Sequence, residues 1–310
     1  MKSIIEVGKN LANKIVLVRL DLNVPIENGK ITDTNRIDKI VPTLDYLIKK
    51  NTKLILISHI GRPKGKVDEN FSLKPVGDNL SKKLNRKIKL INKNIYQLNK
   101  SNLFEAKDYK IILLENIRFY AEEEKNDEKF GKHLASLGDL YVNEAFSCSH
   151  RPHSSISKIS KYIDVYAGLL FTSEVQALNK VTKDIAKPIS CIIGGSKIST
   201  KIKIIENLVS KFDNIIIVGG MANSFLKYFG QNIGKSIYEK NSNEIIKKII
   251  ETAKLKKCNL VFPEDYSVGK NLNDKATNKT KDQIKEEDMI LDVGPATIKK
   301  IIKLINNSKT

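Results

Sequence analysis

Two sets of residues in this chain have the types and the spacing for chemistry on phosphates. The first lies in Cys191-Ile192-Ile193-Gly194-Gly195-Ser196-Lys197-Ile198-Ser199-Thr200-Lys201. The apolar run 189–193 reads as a buried strand of a parallel sheet and stops at two glycines. A helical pattern follows, with Ile202, Ile205, Leu208 and Val209 on one face. Gly194 and Gly195 permit a tight turn and let an anion approach the backbone without a Cβ in the way. A helix starting near Ser199 or Thr200 would aim free N–H groups and its positive dipole end at the same spot. Lys197 and Lys201 flank that start, both within reach of a polyphosphate. A second run, 214–218, ends in Gly219-Gly220 and enters another helical stretch, 221–229. Two strand–glycine–helix units side by side make a nucleotide crevice. The loop is neither a Walker A nor a GxGxxG. The plainer alternative is a pair of tight turns with solvated lysines.

The second set gathers in the first half, where apolar runs end. It comprises Arg19-Leu20-Asp21-Leu22-Asn23-Val24-Pro25, Arg36 at the start of a helix, Ser58-His59-Ile60-Gly61-Arg62-Pro63, Glu115-Asn116-Ile117-Arg118, and Asn143-Glu144-Ala145-Phe146 followed by Ser149-His150-Arg151-Pro152-His153. Ligands of open α/β sheets bind outside the carboxyl ends of the strands. Arg36, Arg62, Arg118, Arg151 and His59 delivered to that edge would form a pocket for a small polyanion, since a guanidinium meets carboxylate or phosphate oxygens bidentately and stays charged. Asp21 and Asn23 would take hydroxyl hydrogens of the same ligand. Taken singly, each has a plainer reading: a loop arginine paired with an acid, such as Arg118 with the run Glu122-Glu123-Glu124, or a histidine serving structure. His133 reads as a surface residue of a helix and Cys148 as inert.

These residues require elements to carry them. Strand-like runs at 14–20, 53–58, 88–91, 111–114 and 140–142 alternate with helical patterns whose apolar residues keep to one stripe, as Ile37, Ile40, Val41, Leu44 and Leu47 do. Further strands are expected at 189–193, 214–218, 259–262 and 289–292, and an Asn28-Gly29 turn before the first long helix. That alternation is the mark of an α/β fold with parallel sheets. A long amphipathic stretch, 171–183, precedes Ala186-Lys187-Pro188, and Pro188 marks a candidate boundary between two domains.

Bulk properties narrow the classes. At 310 residues the chain has room for two domains. A net charge of +19 invites a nucleic-acid or membrane partner. The lysines, however, are spread over nearly every predicted helix face, with no basic tail and no interleaved aromatics, so neither partner is expected. Three separated cysteines, Cys148, Cys191 and Cys258, form neither a CxxC nor a zinc spacing, so no metal ligands are expected from them and reduced thiols are. Without an apolar leader or a membrane-length run, the expected location is cytoplasmic.

Several segments resemble the signatures of phosphoglycerate kinases, in the family's order. They are Val18-Arg19-Leu20-Asp21-Leu22-Asn23-Val24-Pro25, Ser58-His59-Ile60-Gly61-Arg62-Pro63, Leu114-Glu115-Asn116-Ile117-Arg118-Phe119, the Gly194–Lys201 stretch, Val218-Gly219-Gly220-Met221-Ala222 and Leu291-Asp292-Val293-Gly294-Pro295. The resemblance covers essentially the whole chain. It implies two Rossmann-like three-layer domains with parallel sheets: a 3-phosphoglycerate-binding domain over 1–170, a hinge helix over 171–186 and a nucleotide-binding domain over 187–310. It implies reversible phosphoryl transfer between 1,3-bisphosphoglycerate and ADP, giving 3-phosphoglycerate and ATP with Mg²⁺, by a glycolytic monomer. By motif, Asp21, Asn23, Arg36, His59, Arg62, Arg118 and Arg151 resemble the glycerate-phosphate site. Gly194, Gly195, Lys197, Lys201, Gly219 and Gly220 resemble part of the nucleotide site, and Arg36, Lys197 and Lys201 would stabilise the transferring group. The family pattern continues with Trp-Asn-Gly-Pro and Gly-Gly-Gly-Asp segments, and this chain has no tryptophan. The expectation is therefore a second domain incomplete at its C-terminal end, with a catalytically dead phosphoglycerate-binding module as the alternative to an active kinase.

Overall fold

The computed structural model describes residues 1–7, 11–27, 29–104, 109–183 and 185–310, which divide into two compact units, 1–179 and 180–310. Asn28, half of the expected turn, lies outside the described residues. In the first unit the strands are β1 (Lys2–Ser3), β2 (Ile15–Arg19), the small hairpin β3 (Ile26–Glu27) and β4 (Lys30–Ile31), β5 (Lys53–Ile57), β6 (Ile88–Ile91), β7 (Ile111–Leu114), β8 (Leu140–Asn143) and β9 (Val165–Ala167). Seven of them form one parallel sheet in the order β1-β9-β8-β2-β5-β7-β6. Runs such as Ile-Val-Leu-Val and Ile-Ile-Leu-Leu are apolar at every position because both faces of a parallel sheet are covered.

Alternate residues feed two cores. Val16, Val18, Leu54, Leu56 and Leu113 pack on one side under α1 (Asn35–Lys49) and α2 (Lys74–Leu84). Leu17, Ile55, Ile57, Ile112 and Tyr141 pack on the other with Phe130 and Leu134. That second layer holds the short helices α3 (Lys100–Leu103) and α4 (Ala121–Glu124) and the longer α5 (Glu128–Ser136). His133 of α5, expected at the surface, is half-buried: its Nε2 meets the Ile95 carbonyl at 2.7 Å and its ring lies against Tyr96. Because every strand of the seven-stranded sheet runs the same way, Arg19, Ser58-His59, Glu115 and Glu144 all emerge at one edge.

The next helix, α6 (Leu169–Thr182), starts two residues before the expected 171 and ends short of 186; Asp184 lies outside the described residues. Its start is fixed by a buried carboxylate. Glu144 accepts from the N–H groups of Leu170 (2.9 Å) and Phe171 (3.0 Å) and from the Thr43 hydroxyl, whose oxygen in turn accepts from Leu169 N at 3.0 Å. Negative charge at a helix N-terminus is favourable, and these amides would otherwise be orphaned. Gly168 makes room, since a Cβ there would stand 2.0 Å from Glu144 Oε2.

The second unit has β10 (Ser190–Gly194), α7 (Ile202–Val209), β11 (Asn214–Val218), α8 (Gly219–Tyr228), α9 (Asn243–Lys256) and β12 (Asn259–Val261), with β10-β11-β12 a parallel sheet. Ile215, Ile217, Ile205, Phe225 and Ile246 form its core. Next come β13 (Asp265–Gly269), β14 (Thr277–Thr280), β15 (Met289–Val293) and α10 (Pro295–Asn306). The strand expected at 289–292 therefore exists, but it is antiparallel to β13 in a separate three-stranded sheet. The link 270–276 is shorter than the dozen or so residues a parallel crossover needs, so β13 and β14 fold back as a hairpin and β15 joins the free edge of β13. Among the described residues no helix is long and apolar enough to cross a membrane.

Thr43→Val keeps the shape of that side chain but removes the hydroxyl between Glu144 and Leu169, leaving a buried amide and a carboxylate oxygen short of a partner. Urea unfolding followed by circular dichroism should show a loss of about 1–3 kcal/mol. An unchanged midpoint would mean that the Glu144 cap does not hold the start of α6.

Candidate active site

The edge of the first sheet is organised by Arg19, the last residue of β2, whose side chain is wholly buried. Its Nε donates to Ser155 Oγ (2.9 Å), its Nη1 to the Leu20 carbonyl (2.5 Å) and its Nη2 to His59 Nδ1 (3.1 Å). A guanidinium only donates. Nδ1 of His59 must then accept, and the ring's proton sits on Nε2. Burial first, then the charges of Arg19 and Arg118, with His153 and Arg151, push His59 down to about 2, so the ring is a neutral donor. Ser155 passes the contact on to buried Glu123, whose carboxylate accepts from Ser155 Oγ (2.6 Å) and Ser155 N (2.8 Å). His153, pushed down to about 4 chiefly by burial, has its Nδ1 3.8 Å from Glu123.

Arg118, only 3% exposed, sits in the turn after β7. Asn116 Oδ1 accepts from its backbone N–H, its Nη1 donates to the Gly61 carbonyl (2.9 Å), and its Nε lies 3.3 Å from Glu124, one of the acids anticipated for it. Arg118 Nη2 and His153 Nδ1 are both buried without a hydrogen-bond partner. Asn23 Oδ1 accepts from Gly61 N at 2.9 Å, so the strand-β2 and strand-β5 loops are stitched together at Gly61. Arg62, the next residue, is exposed.

Asp21 accepts from Arg36 Nη1 (2.5 Å) and from Ser147 Oγ (2.5 Å), and its carboxylate lies near His59 and Cys148. Arg36, in the first turn of α1, is half exposed and borders a cavity of about 220 Å³ with Asp21, Lys39, Phe146, Ser147 and Glu174. Arg151 is half-buried, donates from Nε to His150 Nε2 (3.3 Å), and acts electrostatically on His59 and Arg118. Of the seven residues singled out in this half, Asp21 and Arg36 touch each other, Asn23 and Arg118 both meet Gly61, His59 meets Arg19, Arg151 acts on His59 and Arg118 electrostatically, and Arg62 follows Gly61 with its side chain exposed. Arg19, Glu123, Ser147, His153 and Ser155 join them. The Asp21–His59–Cys148 trio does not suit a cation, because arginines surround it and the Nδ1 lone pair of His59 is engaged by Arg19. The larger cavity of about 740 Å³ near Leu90, Ile95 and Tyr120 contains none of these residues, and Glu115 on its wall is spent on Ser72 and Leu73.

In the second unit β10 ends at Gly194, and Gly195 takes φ +142°, a value open to glycine. Lys201 Nζ lies 2.7 Å from where a Cβ on Gly195 would be, so the ammonium sits on the glycine turn. The neighbouring turn approaches closely: Met221 N donates to the Gly195 carbonyl (2.6 Å), and a Cβ on Gly220 would be 3.3 Å from Ser196 Cα. Gly219 and Gly220 also line a crevice with Pro263, Tyr266, Ile290 and Asp292. One expectation fails here. The N–H groups at the start of the following helical turn are not free, because Glu239 accepts from Ile198 N (2.6 Å), Ser199 N (3.0 Å) and the Ser199 hydroxyl. The carboxylate comes from a loop 40 residues on from Ser199, which local spacing does not reveal.

A family profile described as phosphoglycerate kinase matches residues 6–310. The phosphoglycerate kinase of Wolbachia pipientis wMel is 45% identical over 305 residues, covering 97% of this chain and 76% of that protein. That of Methylorubrum extorquens PA1 is 44% identical over 302 residues, with 97% and 76% covered. The structure of phosphoglycerate kinase from Coxiella burnetii superposes with a TM-score of 0.81 at 39% identity, over 97% of this chain and 77% of that one. The glycine-and-lysine turns and the arginine-lined sheet edge thus belong to one lineage: this chain is a member of the phosphoglycerate kinase family.

Proposed function

We propose that the sheet edge of the first unit binds 3-phosphoglycerate or 1,3-bisphosphoglycerate, that the glycine turns of the second bind ADP or ATP, and that a phosphoryl group passes between a carboxyl oxygen of the first and the terminal phosphate of the second. The observation that supports this most is Arg118 Nη2, a buried donor without a hydrogen-bond partner. A buried guanidinium N–H left without an acceptor is costly, and an anionic ligand oxygen offsets that cost. His59 Nε2–H adds a neutral donor, and Arg62 and Arg151 add charge at the rim. Arg36 lies beside the cavity and exchanges Asp21 for the migrating group.

The acceptor is an ionised carboxylate and needs no general base, so positioning and charge stabilisation carry the rate. On the nucleotide side Lys197 and Lys201 meet the phosphates while Gly194, Gly195, Gly219 and Gly220 let them approach the backbone. Lysines and amides are partners for phosphate oxygens, not for a metal, so none of these residues would hold Mg²⁺, and a Mg²⁺ bound to the nucleotide itself would supply further neutralisation of its charge. The helix α6 joins a glycerate-binding part, 1–170, to a nucleotide-binding part, 187–310, and serves as the hinge segment between them. Both substrates are small and soluble, in keeping with a cytoplasmic monomer that needs neither nucleic acid nor membrane.

In a coupled ATP-forming assay Arg36→Ala should lower kcat by roughly 100-fold or more, with the urea midpoint nearly unchanged because the side chain is half exposed. Equal losses of turnover and folding stability would refute its role. Titration calorimetry with 3-phosphoglycerate should show binding by the wild type and at least roughly tenfold weaker binding by Arg118→Met. Glycerate binding without ADP binding or turnover would identify a binding module in place of a kinase.

The histidines give a pH signature. Folding lowers the affinity of His59 for a proton, to about 2, so below about 6.5 the unfolded chain binds a proton that the folded one refuses. Stability therefore falls as pH falls through that window, and His153 adds to it down to about 4. Unfolding free energy at pH 4.5 should lie about 2–3 kcal/mol below that at pH 7 from His59 alone, and His59→Asn should flatten the profile. An equally steep profile in the variant would show that His59 is not held neutral.

A further inference from the structure

Glu239 is the one carboxylate joined directly, among the described residues, to the loop that carries Lys197 and Lys201. Its two oxygens take Ile198 N, Ser199 N and the Ser199 hydroxyl. The same residue is anchored from behind. Its own N–H donates to Ser224 Oγ (2.9 Å), its carbonyl accepts from Ser242 Oγ (2.8 Å), and Asn223 Nδ2 donates to the Ile237 carbonyl at 3.0 Å. Asn223 and Ser224 are buried on α8, the helix that begins at Gly219-Gly220. A continuous set of hydrogen bonds therefore runs from one glycine turn through Glu239 to the other. Burial would raise the Glu239 carboxyl, but Ser199, the two amides and nearby Lys197 outweigh it and hold the group below the usual carboxylate range, so it stays ionised.

The helical turn Ser199–Lys201 is short and no other side chain caps it. Without the carboxylate, two amides and a hydroxyl lose their acceptor, and the turn that carries Lys197 and Lys201 keeps the buried Ile198 side chain, its own short-range hydrogen bonds and the Met221-to-Gly195 contact, but no side-chain tie to the loop of Glu239. We propose that Glu239 is a positioning residue for nucleotide: it makes no contact with the phosphates, locks the 196–201 turn against α8, and thereby sets the two lysines at the spacing a diphosphate requires. This rests on the nucleotide assignment proposed above. The carboxylate also occupies the anion seat at the helical start, which leaves the nucleotide phosphates to the lysines and the glycine turns.

The test compares the wild type with Glu239→Gln, Glu239→Ala and Glu239→Asp, using ADP with Mg²⁺ as ligand. Glu239→Ala should weaken ADP binding by roughly tenfold to a hundredfold, raise KM for ADP far more than it lowers kcat, and leave 3-phosphoglycerate affinity unchanged. Glu239→Gln, with one acceptor oxygen and an unwanted donor, should fall between; Glu239→Asp, still charged, should restore part of the affinity. Hydrogen exchange should quicken at Ile198 and Ser199 in the alanine variant while the core strands β10 and β11 stay protected. ADP affinity equal to wild type in Glu239→Ala, or unchanged exchange at the two amides, would overturn the proposal. A wild type that takes up 3-phosphoglycerate but no ADP, with Glu239-dependent protection intact, would instead overturn the nucleotide assignment.

Discussion

A guanidinium sealed at the end of the central strand is the constraint on which the first unit depends. Arg19 cannot reach water, so all of its hydrogen bonding must be met internally. It is met by groups from separate parts of the chain: the Leu20 carbonyl, the His59 ring and the Ser155 hydroxyl with Glu123 behind it. Each demand fixes something else. The His59 tautomer follows from it, as does the docking of the 154–158 turn under the sheet edge. A lysine could not substitute, since a point charge lacks the planar fork that reaches three partners at once. The cluster of arginines that surrounds it is tolerable only because Glu123 and Glu124 are placed within it, and even so one donor of Arg118 is left over.

The second unit solves an analogous problem with the opposite charge. Its two glycine turns touch through backbone alone, too closely for side chains to intervene, and a carboxylate brought from the following loop ties them together. Each unit thus uses one charged side chain as a tie: Arg19 holds a carbonyl, a ring and a hydroxyl together in the first, and Glu239 holds two amides and a hydroxyl in the second. Packing alone would not do this, because apolar contacts are indifferent to where an ammonium points.

Much of this was legible in the residues themselves. The continuous apolar runs of β2, β5 and β7 announce strands covered on both faces, whereas β10, with an equally apolar run, leaves Ile192 exposed; strand ends in a parallel sheet share an edge, which is why the arginines group from the sequence alone. The glycine turns were legible because Gly-Gly after an apolar run has few other uses. Less legible were the partners that arrive from far along the chain. Arg19 was visible as a strand-end residue, but its burial depends on Ser155, 136 residues away. Glu239 and Ser199 are 40 residues apart with no periodic relation. The antiparallel β13 was hidden because Asp-Tyr-Ser-Val-Gly has neither an apolar run nor a clean alternation. Local periodicity reports burial of a face; it carries no information about which distant group satisfies a donor.

The contact between Asp21 and Arg36 has a consequence for discrimination. Asp21 already holds the Arg36 guanidinium, so an anion bound there would compete with a carboxylate of the protein itself. A visiting molecule with a single negative charge merely trades places with an equal, and gains little by doing so. One carrying a doubly charged headgroup outbids the resident acid, and the remaining arginines answer the surplus. On the assignment proposed above, the edge would sort anions by valence before shape is consulted, with one of the protein's own side chains as the reference weight.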